Sequence, residues 1–327
     1  SDVYKRQNVK CADCHIGGGT SSFVMAKITG VRQLVAAVQH TYATPTPVPV
    51  ESLRPAREIC EECHRPDQFA GDRLRVKTKF TDDETNTPLT TAILMHIGGG
   101  QSHAKGIHSW HIAAGRQTMY LAADKSRQKV DLVRVKEADG SVTNYAADDF
   151  KRDPATVKDE EMRVMDCIDC HNRPTHIFKL QGAAMDEAMS VGRIDNTLPY
   201  IKKIGVEALT EAAEKGDGET LISQKIHGYY KENNPDLLNA RKDTIDKAVS
   251  EIQAIYKRNV FPEMKITWGT YPDNLSHIDS PGCFRCHDEN HKSADGAKAI
   301  HQDCTTCHNV LAWDEQDPKV LADLGLK

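Results

Sequence analysis

The stretch Cys167-Ile-Asp-Cys170-His171-Asn-Arg-Pro-Thr-His176 is the part of the sequence on which the prediction of the fold depends. Its first half, CxxCH, is the attachment signature of a c-type haem. Two cysteines about one helical turn apart can bond to the two vinyl groups of one haem, and the adjacent histidine then binds the iron from one side. The 327-residue chain has ten cysteines, and all ten fall into five copies of this pattern.

We number these copies motif 1 to motif 5 in chain order, and they predict five covalently bound haem c groups. The cysteines expected to bind haem are Cys11 and Cys14 in motif 1, Cys60 and Cys63 in motif 2, Cys167 and Cys170 in motif 3, Cys283 and Cys286 in motif 4, and Cys304 and Cys307 in motif 5. The proximal iron ligands expected from the same motifs are His15, His64, His171, His287 and His308.

Three other uses of paired cysteines fit less well. Zinc sites do not require a histidine directly after every cysteine pair. A redox-active thiol pair is typically single and lies in a βαβ context. A disulfide scaffold is typical of a short chain with scattered cysteines. A histidine after each of the five pairs therefore favours haem attachment.

Composition suggests how such a chain would fold. Hydrophobic residues make up 39% of the sequence and aromatic residues only 6%, which is lean for a chain of this length. Because haem groups offer large apolar surfaces, we expect a mainly α-helical multihaem cytochrome with little regular core besides the haems. The formal net charge of −5 argues against nucleic acid as a partner.

The sequence also predicts an order of segments. The apolar spacing of 24–38 indicates an amphipathic helix, the segment around Asp139-Gly140 reads as a β-hairpin, and residues 154–260 read as mostly helical. The predicted segments are an adapter-like stretch at 1–7 that resembles translated sequencing DNA, a two-haem segment at 8–70, a small β-rich insert at about 71–150, a third motif with a helical segment at 151–260, and a C-terminal two-haem segment at 261–327.

The second half of the opening stretch raises the question of the distal iron ligands. Five of the fifteen histidines are proximal, so ten remain for five distal positions. The four residues between His171 and His176 are too few to pass round the haem of motif 3, since each residue spans at most about 3.6 Å. If His176 binds iron, it therefore binds the haem of another motif.

Four more histidines are distal candidates. His291 follows His287 closely and obeys the same reach argument, whereas His277 precedes motif 4 and can reach its own haem or a neighbouring one. His108 and His111 stand three residues apart in GIHSWH. The alternative for each of them is a surface or hydrogen-bonded histidine without a metal.

The motif from Cys167 to His176 resembles the NapC/NirT type of membrane-anchored multihaem cytochromes c, in which a histidine follows the attachment site by the same gap. The pair of motifs between Cys11 and His64 is similar to two motifs of that family joined by a lysine-bearing helix. In the family, the later histidine binds the iron of another haem. The β-rich insert and the two C-terminal motifs depart from the short members and resemble a longer subgroup.

The resemblance implies a periplasmic cytochrome that relays electrons from membrane quinol to a periplasmic redox partner, more an electron-transfer protein than an enzyme. It also implies that the family's first haem, an N-terminal anchoring helix and much of the quinol site lie upstream of Asn8. Two alternatives stay open. One is a multihaem reductase, for example of nitrite, with one open haem, and the other is a subunit of an extracellular cytochrome filament.

Overall fold

The computed structural model describes residues 10–16, 19–49, 56–62, 64, 71–99, 106–113 and 115–326. The adapter-like stretch at 1–7 and Cys63 lie outside these residues, and the Cys11 side chain is not described. The chain divides into two compact units. Unit 1 comprises Ser1–Arg73, His96–Ile177 and Pro272–His308, and unit 2 comprises Leu74–Met95, Phe178–Tyr271 and Asn309–Lys327.

The described elements alternate between short motif turns, strands and longer helices. The helices are α1 (Cys11–His15), α2 (Thr20–Val38), α3 (Ala56–Cys60), α4 (Ile107–His111), α5 (Cys167–Cys170), α6 (Gln181–Ser190), α7 (Ile201–Lys215), α8 (Gly218–Asn233), α9 (Pro235–Ala240), α10 (Lys242–Asn259), α11 (Cys304–Cys307) and α12 (Lys319–Asp323). The strands are β1 (Arg73–Phe80), β2 (Pro88–Met95), β3 (Gln117–Ala122), β4 (Val130–Lys136), β5 (Val142–Ala146), β6 (Arg163–Val164) and β7 (His308–Glu315).

Unit 1 contains a four-stranded antiparallel sheet in the order β5-β4-β3-β6. Strands β4 and β5 form the hairpin predicted at Asp139-Gly140, with Lys136 opposite Val142. Gly140 has a φ of 85°, a left-handed conformation that glycine adopts without steric cost. Leu132 and Met119 are buried on one face of this sheet together with Val157. The turn chemistry and the alternation of apolar residues thus fix this part of the fold locally.

Unit 2 combines helices α6 to α10 with a three-stranded sheet in the order β1-β2-β7. The helix ends follow from local sequence. Helix α7 stops at Gly216, whose φ is 73°, and the Asp217 side chain then accepts a hydrogen bond from the Thr220 amide at the start of α8, as capping residues commonly do. Helix α9 begins at Pro235, whose fixed φ suits the first helical position.

The helices of unit 2 enclose an apolar core that needs no prosthetic group. Ile226, Ile245 and Ile252 are completely buried, and the hydroxyl of buried Tyr230 donates to the carbonyl oxygen of Pro199 at 2.9 Å. Lys202 and Asp186 form a buried ion pair. A regular side-chain core of this kind is what a helical bundle requires.

The prediction of a mainly α-helical fold with little regular core besides the haems is wrong. The chain is 42% helical and 16% strand, with two antiparallel sheets of three and four strands. One sheet is completed by β7, far beyond the predicted insert at 71–150, and the other by β6. The prediction assumed that haem groups take the place of a side-chain core along the whole chain. Unit 2 instead has a core of its own side chains.

The two ends of the helical segment Phe178–Tyr271 of unit 2 lie next to each other. The rings of Phe178 and Tyr271, the first and last residues of this segment, lie 5.1 Å apart. Within unit 1, the side-chain amide of Asn172 donates to the Pro272 carbonyl oxygen at 2.9 Å, and its oxygen accepts from the Asn274 amide at 2.8 Å. The two ends of the segment therefore lie close together, and so do the residues that flank it in the sequence.

The predicted helix after motif 1 is present as α2, and its apolar side chains, among them Met25, are largely exposed. Among the helices that the structure describes, none combines the length and apolar character needed to cross a bilayer.

We expect Ile252→Ala to lower the free energy of unfolding of unit 2 by about 2–5 kcal/mol, because it leaves a cavity in a fully buried site. Urea unfolding followed by far-ultraviolet circular dichroism measures this change. Val191→Ala is the matched control, since Val191 is 60% exposed and its truncation is expected to change the stability by less than about 0.5 kcal/mol. Equal unfolding midpoints for the two variants would contradict the role assigned to this core.

Candidate functional site

All the motif residues that the structure describes lie in unit 1, and their cysteines lie in or directly beside short helical turns. In motifs 2 to 5 the amide of the histidine donates to the carbonyl oxygen of the first cysteine, for example His171 to Cys167 at 2.8 Å and His287 to Cys283 at 3.1 Å. This hydrogen bond places the histidine one turn beyond that cysteine. The eight cysteines whose side chains are described carry no disulfide bond, so their thiols are available for thioether bonds.

Four motif histidines face a second histidine from another part of the chain. The pairs, with their ring-centroid distances, are His15 and His176 at 6.4 Å, His171 and His108 at 6.4 Å, His287 and His111 at 6.0 Å, and His308 and His277 at 6.2 Å. Each second histidine is one of the predicted distal candidates. Of those candidates, His291 is the one that does not face a motif histidine ring among the described residues.

These separations fit one metal ion between each pair. An imidazole nitrogen lies about 2 Å from a bound first-row metal, so two histidines on opposite sides of one metal have ring centroids roughly 6–6.5 Å apart. A direct hydrogen bond between two imidazole rings would bring the centroids closer, to roughly 5–5.5 Å. The two cysteines and two histidines that each of these sites provides are a donor set that fits a covalently bound haem.

Hydrogen bonds orient two of the paired rings. Nδ1 of His111 donates to the carbonyl oxygen of Ile107 at 2.6 Å, and Nδ1 of His287 donates to that of His301 at 2.8 Å. A proton fixed on Nδ1 leaves the lone pair on Nε2, the tautomer needed for binding iron. The two rings of this pair therefore both present Nε2 as the free ligand atom.

Burial favours the neutral form of the paired histidines. It lowers the pKa of His108, His111, His176 and His308, and in each case a nearby histidine lowers it further. The buried Nδ1 atoms of His108 and His308 have no hydrogen-bond partner among the described residues. Neutral imidazole is the form that binds a metal, so the pKa shifts agree with the geometry.

The predicted candidate His291 has a different environment. It is 1% exposed, and its ring nitrogens contact Asp288 at 2.8 Å and the carbonyl oxygen of Val130 at 3.0 Å. Both nitrogens are thus used within the protein, as in a buried structural histidine. Motif 2 has no such pair among the described residues, and residues 65–70 beside His64 lie outside them.

Motif 3 is held by an ion-pair network that the sequence analysis did not identify. The Asp169 carboxylate, inside CIDC, accepts hydrogen bonds from the hydroxyl of Tyr120 at 2.7 Å and from Arg163 at 2.9 Å. The Asp169 backbone carbonyl oxygen accepts one from Arg285 at 2.7 Å. Burial and the adjacent Asp169 charge raise the pKa of Tyr120. CIDC and CFRC each have a charged residue between their cysteines, but so do CADC and CEEC, so the sequence did not single out this network.

Neighbouring motifs also touch through their cysteines. The thiols of Cys60 in motif 2 and Cys167 in motif 3 lie next to each other, and the interaction with Cys167 lowers the pKa of Cys60. The Ala56 amide at the start of α3 donates to the Asp166 carboxylate at 2.8 Å, just before motif 3. Motifs 2 and 3 are therefore adjacent in unit 1, although a long stretch of sequence separates them.

The attachment motifs, the paired histidines and a curated relative together support a c-type cytochrome with covalently bound haem c. The chain is 43% identical over 306 residues to the cytochrome c-type protein ImcH of Geobacter sulfurreducens. This match covers 93% of the chain and 60% of that protein, so the chain spans less than two thirds of the relative's length. No family model matches the chain, and no solved structure matches it.

We expect Asp169→Ala to lower the free energy of unfolding by about 1–3 kcal/mol, because it leaves the buried Tyr120 hydroxyl and the partly buried Arg163 guanidinium without their acceptor. Unfolding in urea, followed by circular dichroism in the haem absorption region, measures the loss. Asp148→Ala is the control, since it removes an exposed ion pair with Lys292 that contributes less than about 1 kcal/mol. Similar midpoints for both variants would be evidence against this network.

Proposed function

We propose that this protein is a pentahaem electron carrier of the periplasm that passes electrons from the membrane quinol pool to a periplasmic redox partner. The observation that carries the proposal is the set of four histidine pairs at 6.0–6.4 Å. Two histidine ligands leave no free position on an iron, which suits electron transfer and not substrate conversion. The resemblance of Cys167–His176 to the NapC/NirT type supports the quinol as donor.

In this proposal, the two histidines of each pair would hold the iron of one haem. Haem c, when bound, supplies an iron that alternates between the ferric and ferrous states. The cysteines would anchor the haem, and the motif histidine and the second histidine would both bind its iron. The assigned pairs are His15 with His176, His171 with His108, His287 with His111, and His308 with His277.

Location and anchoring belong to the same proposal. Covalent haem attachment takes place outside the bacterial cytoplasm, which favours the periplasm. The NapC/NirT resemblance favours an anchoring helix and further haem-binding sequence upstream. The relative ImcH is longer than this chain, since the match covers 60% of it, and this is consistent with a longer native protein.

The function is tested by voltammetry of the haem-loaded chain adsorbed on an electrode. We expect reversible one-electron signals from every haem and no catalytic current when nitrite is added, because the histidine pairs leave no open iron at motifs 1, 3, 4 and 5. The proposal requires the haem of motif 2 to be closed as well. A quinol analogue should reduce the chain in solution. A sustained nitrite-dependent current would overturn the proposal and favour the reductase.

We expect His176→Ala to convert one low-spin haem to the high-spin state, because it removes the ring that faces His15. Electron paramagnetic resonance of the oxidised chain measures the change. His291→Ala is the matched control. It should leave the spin states unchanged and lower the free energy of unfolding by about 1–3 kcal/mol, since it removes two buried hydrogen bonds. A new high-spin signal in His291→Ala alone would reverse the two assignments.

A further inference from the structure

We infer that α4 is a shared ligand helix, whose single turn supplies the distal histidines of two different haems and makes motifs 3 and 4 direct neighbours. The inference rests on the proposed function, because it takes His108 and His111 as iron ligands. It goes beyond that function by stating that one helix holds the ligands of two haems. His108 faces His171 of motif 3, whereas His111, three residues later, faces His287 of motif 4.

Adjacency follows from helix geometry. Residues three apart on a helix have Cβ atoms about 5–6 Å apart and project from the same side. Two irons bound to such residues belong to neighbouring haems, although motifs 3 and 4 are far apart in sequence. Arg285 of motif 4 independently contacts the Asp169 carbonyl oxygen of motif 3 at 2.7 Å, so the two motifs also meet on their cysteine side.

A five-residue helix is not stable by itself, and the structure shows what holds α4 at its start. The amides of Ile107 and His108 donate to the carbonyl oxygens of His96 and Ile97 at 2.9 and 2.8 Å. The Ser109 hydroxyl accepts a hydrogen bond from the Gly99 amide at 2.9 Å. The helix is therefore docked on the segment that precedes it.

The other end of α4 is held as well. The carbonyl oxygen of Trp110 accepts from the Thr118 hydroxyl at 3.0 Å, and the Arg116 guanidinium lies over the Trp110 ring at 4.2 Å. Arg57 donates to the carbonyl oxygen of Ile112 at 2.8 Å. Thr118, Arg116 and Arg57 thus hold the end of α4, so His108 and His111 are fixed relative to each other.

The docking depends on a close approach of two glycines. A Cβ placed on Gly106 would lie 2.5 Å from the Cα of Gly98, a contact that only a backbone shift can relieve. Because Gly106 directly precedes α4, such a shift would move His108 and His111 together. A substitution of Gly106, which binds no metal, is therefore expected to displace both histidine ligands.

The inference is tested on the full, haem-loaded chain by electron paramagnetic resonance, with mass spectrometry to confirm that every haem is attached. We expect His108→Ala and His111→Ala each to add one high-spin haem per chain, and the double variant to add two. Either single variant leaving all haems low-spin would overturn the inference.

The assignment to motifs is tested in a background without the haem of motif 3, made by Cys167→Ala with Cys170→Ala. Here His108→Ala should add no high-spin haem, because its iron is absent, whereas His111→Ala should still add one. A high-spin haem added by His108→Ala in this background would assign that histidine elsewhere and overturn the inference.

Gly106→Ala tests the shared support even if that background fails to fold. We expect it to add two high-spin haems, and Gly228→Ala, whose added Cβ meets open space in α8, to add none. An effect of Gly106→Ala on one haem or on no haem would contradict a common helix. These spin-state results are independent of the voltammetric test, so the shared helix and the electron-carrier function can fail separately.

Discussion

An iron held between two histidines needs a ligand on each side, and a CxxCH turn can supply only one of them. Under the proposed ligation, this constraint decides how unit 1 is connected. The segment that follows motif 3 returns to motif 1 through His176, α4 reaches forward to motifs 3 and 4, and the segment before motif 4 reaches motif 5 through His277. Under this ligation, these long-range contacts of unit 1 exist because each haem needs a second histidine from another part of the chain.

The sequence was sufficient where a local rule decides the outcome. The hairpin at Asp139-Gly140 follows from turn chemistry, and the structure confirms it. Spacing also identified His176 and His291 as candidates by the same reach argument, but it could not distinguish them. Their difference lies in surroundings far away in sequence: one ring faces His15, whereas the other is enclosed by Asp288 and the Val130 carbonyl oxygen.

Other features could not be predicted because they depend on three-dimensional contacts. The spacing of His108 and His111 showed two histidines on one turn, yet the motifs that they face depend on how α4 packs, including Gly106 against Gly98. The composition was read as a lack of regular core, although the buried isoleucines of unit 2 form one. The composition averaged over the whole chain does not show this difference, because the haem motifs and the helical core lie in different units.

The contact between Phe178 and Tyr271 has a further consequence. A segment whose two ends meet can be inserted into a host chain, lengthened or exchanged without rerouting the rest of the backbone, which is the usual geometry of a domain insertion. Residues 178–271 contain no CxxCH motif. The helical segment thus has the end-to-end geometry of an insertion, and a change in its length would leave the order of the haem motifs along the chain unchanged.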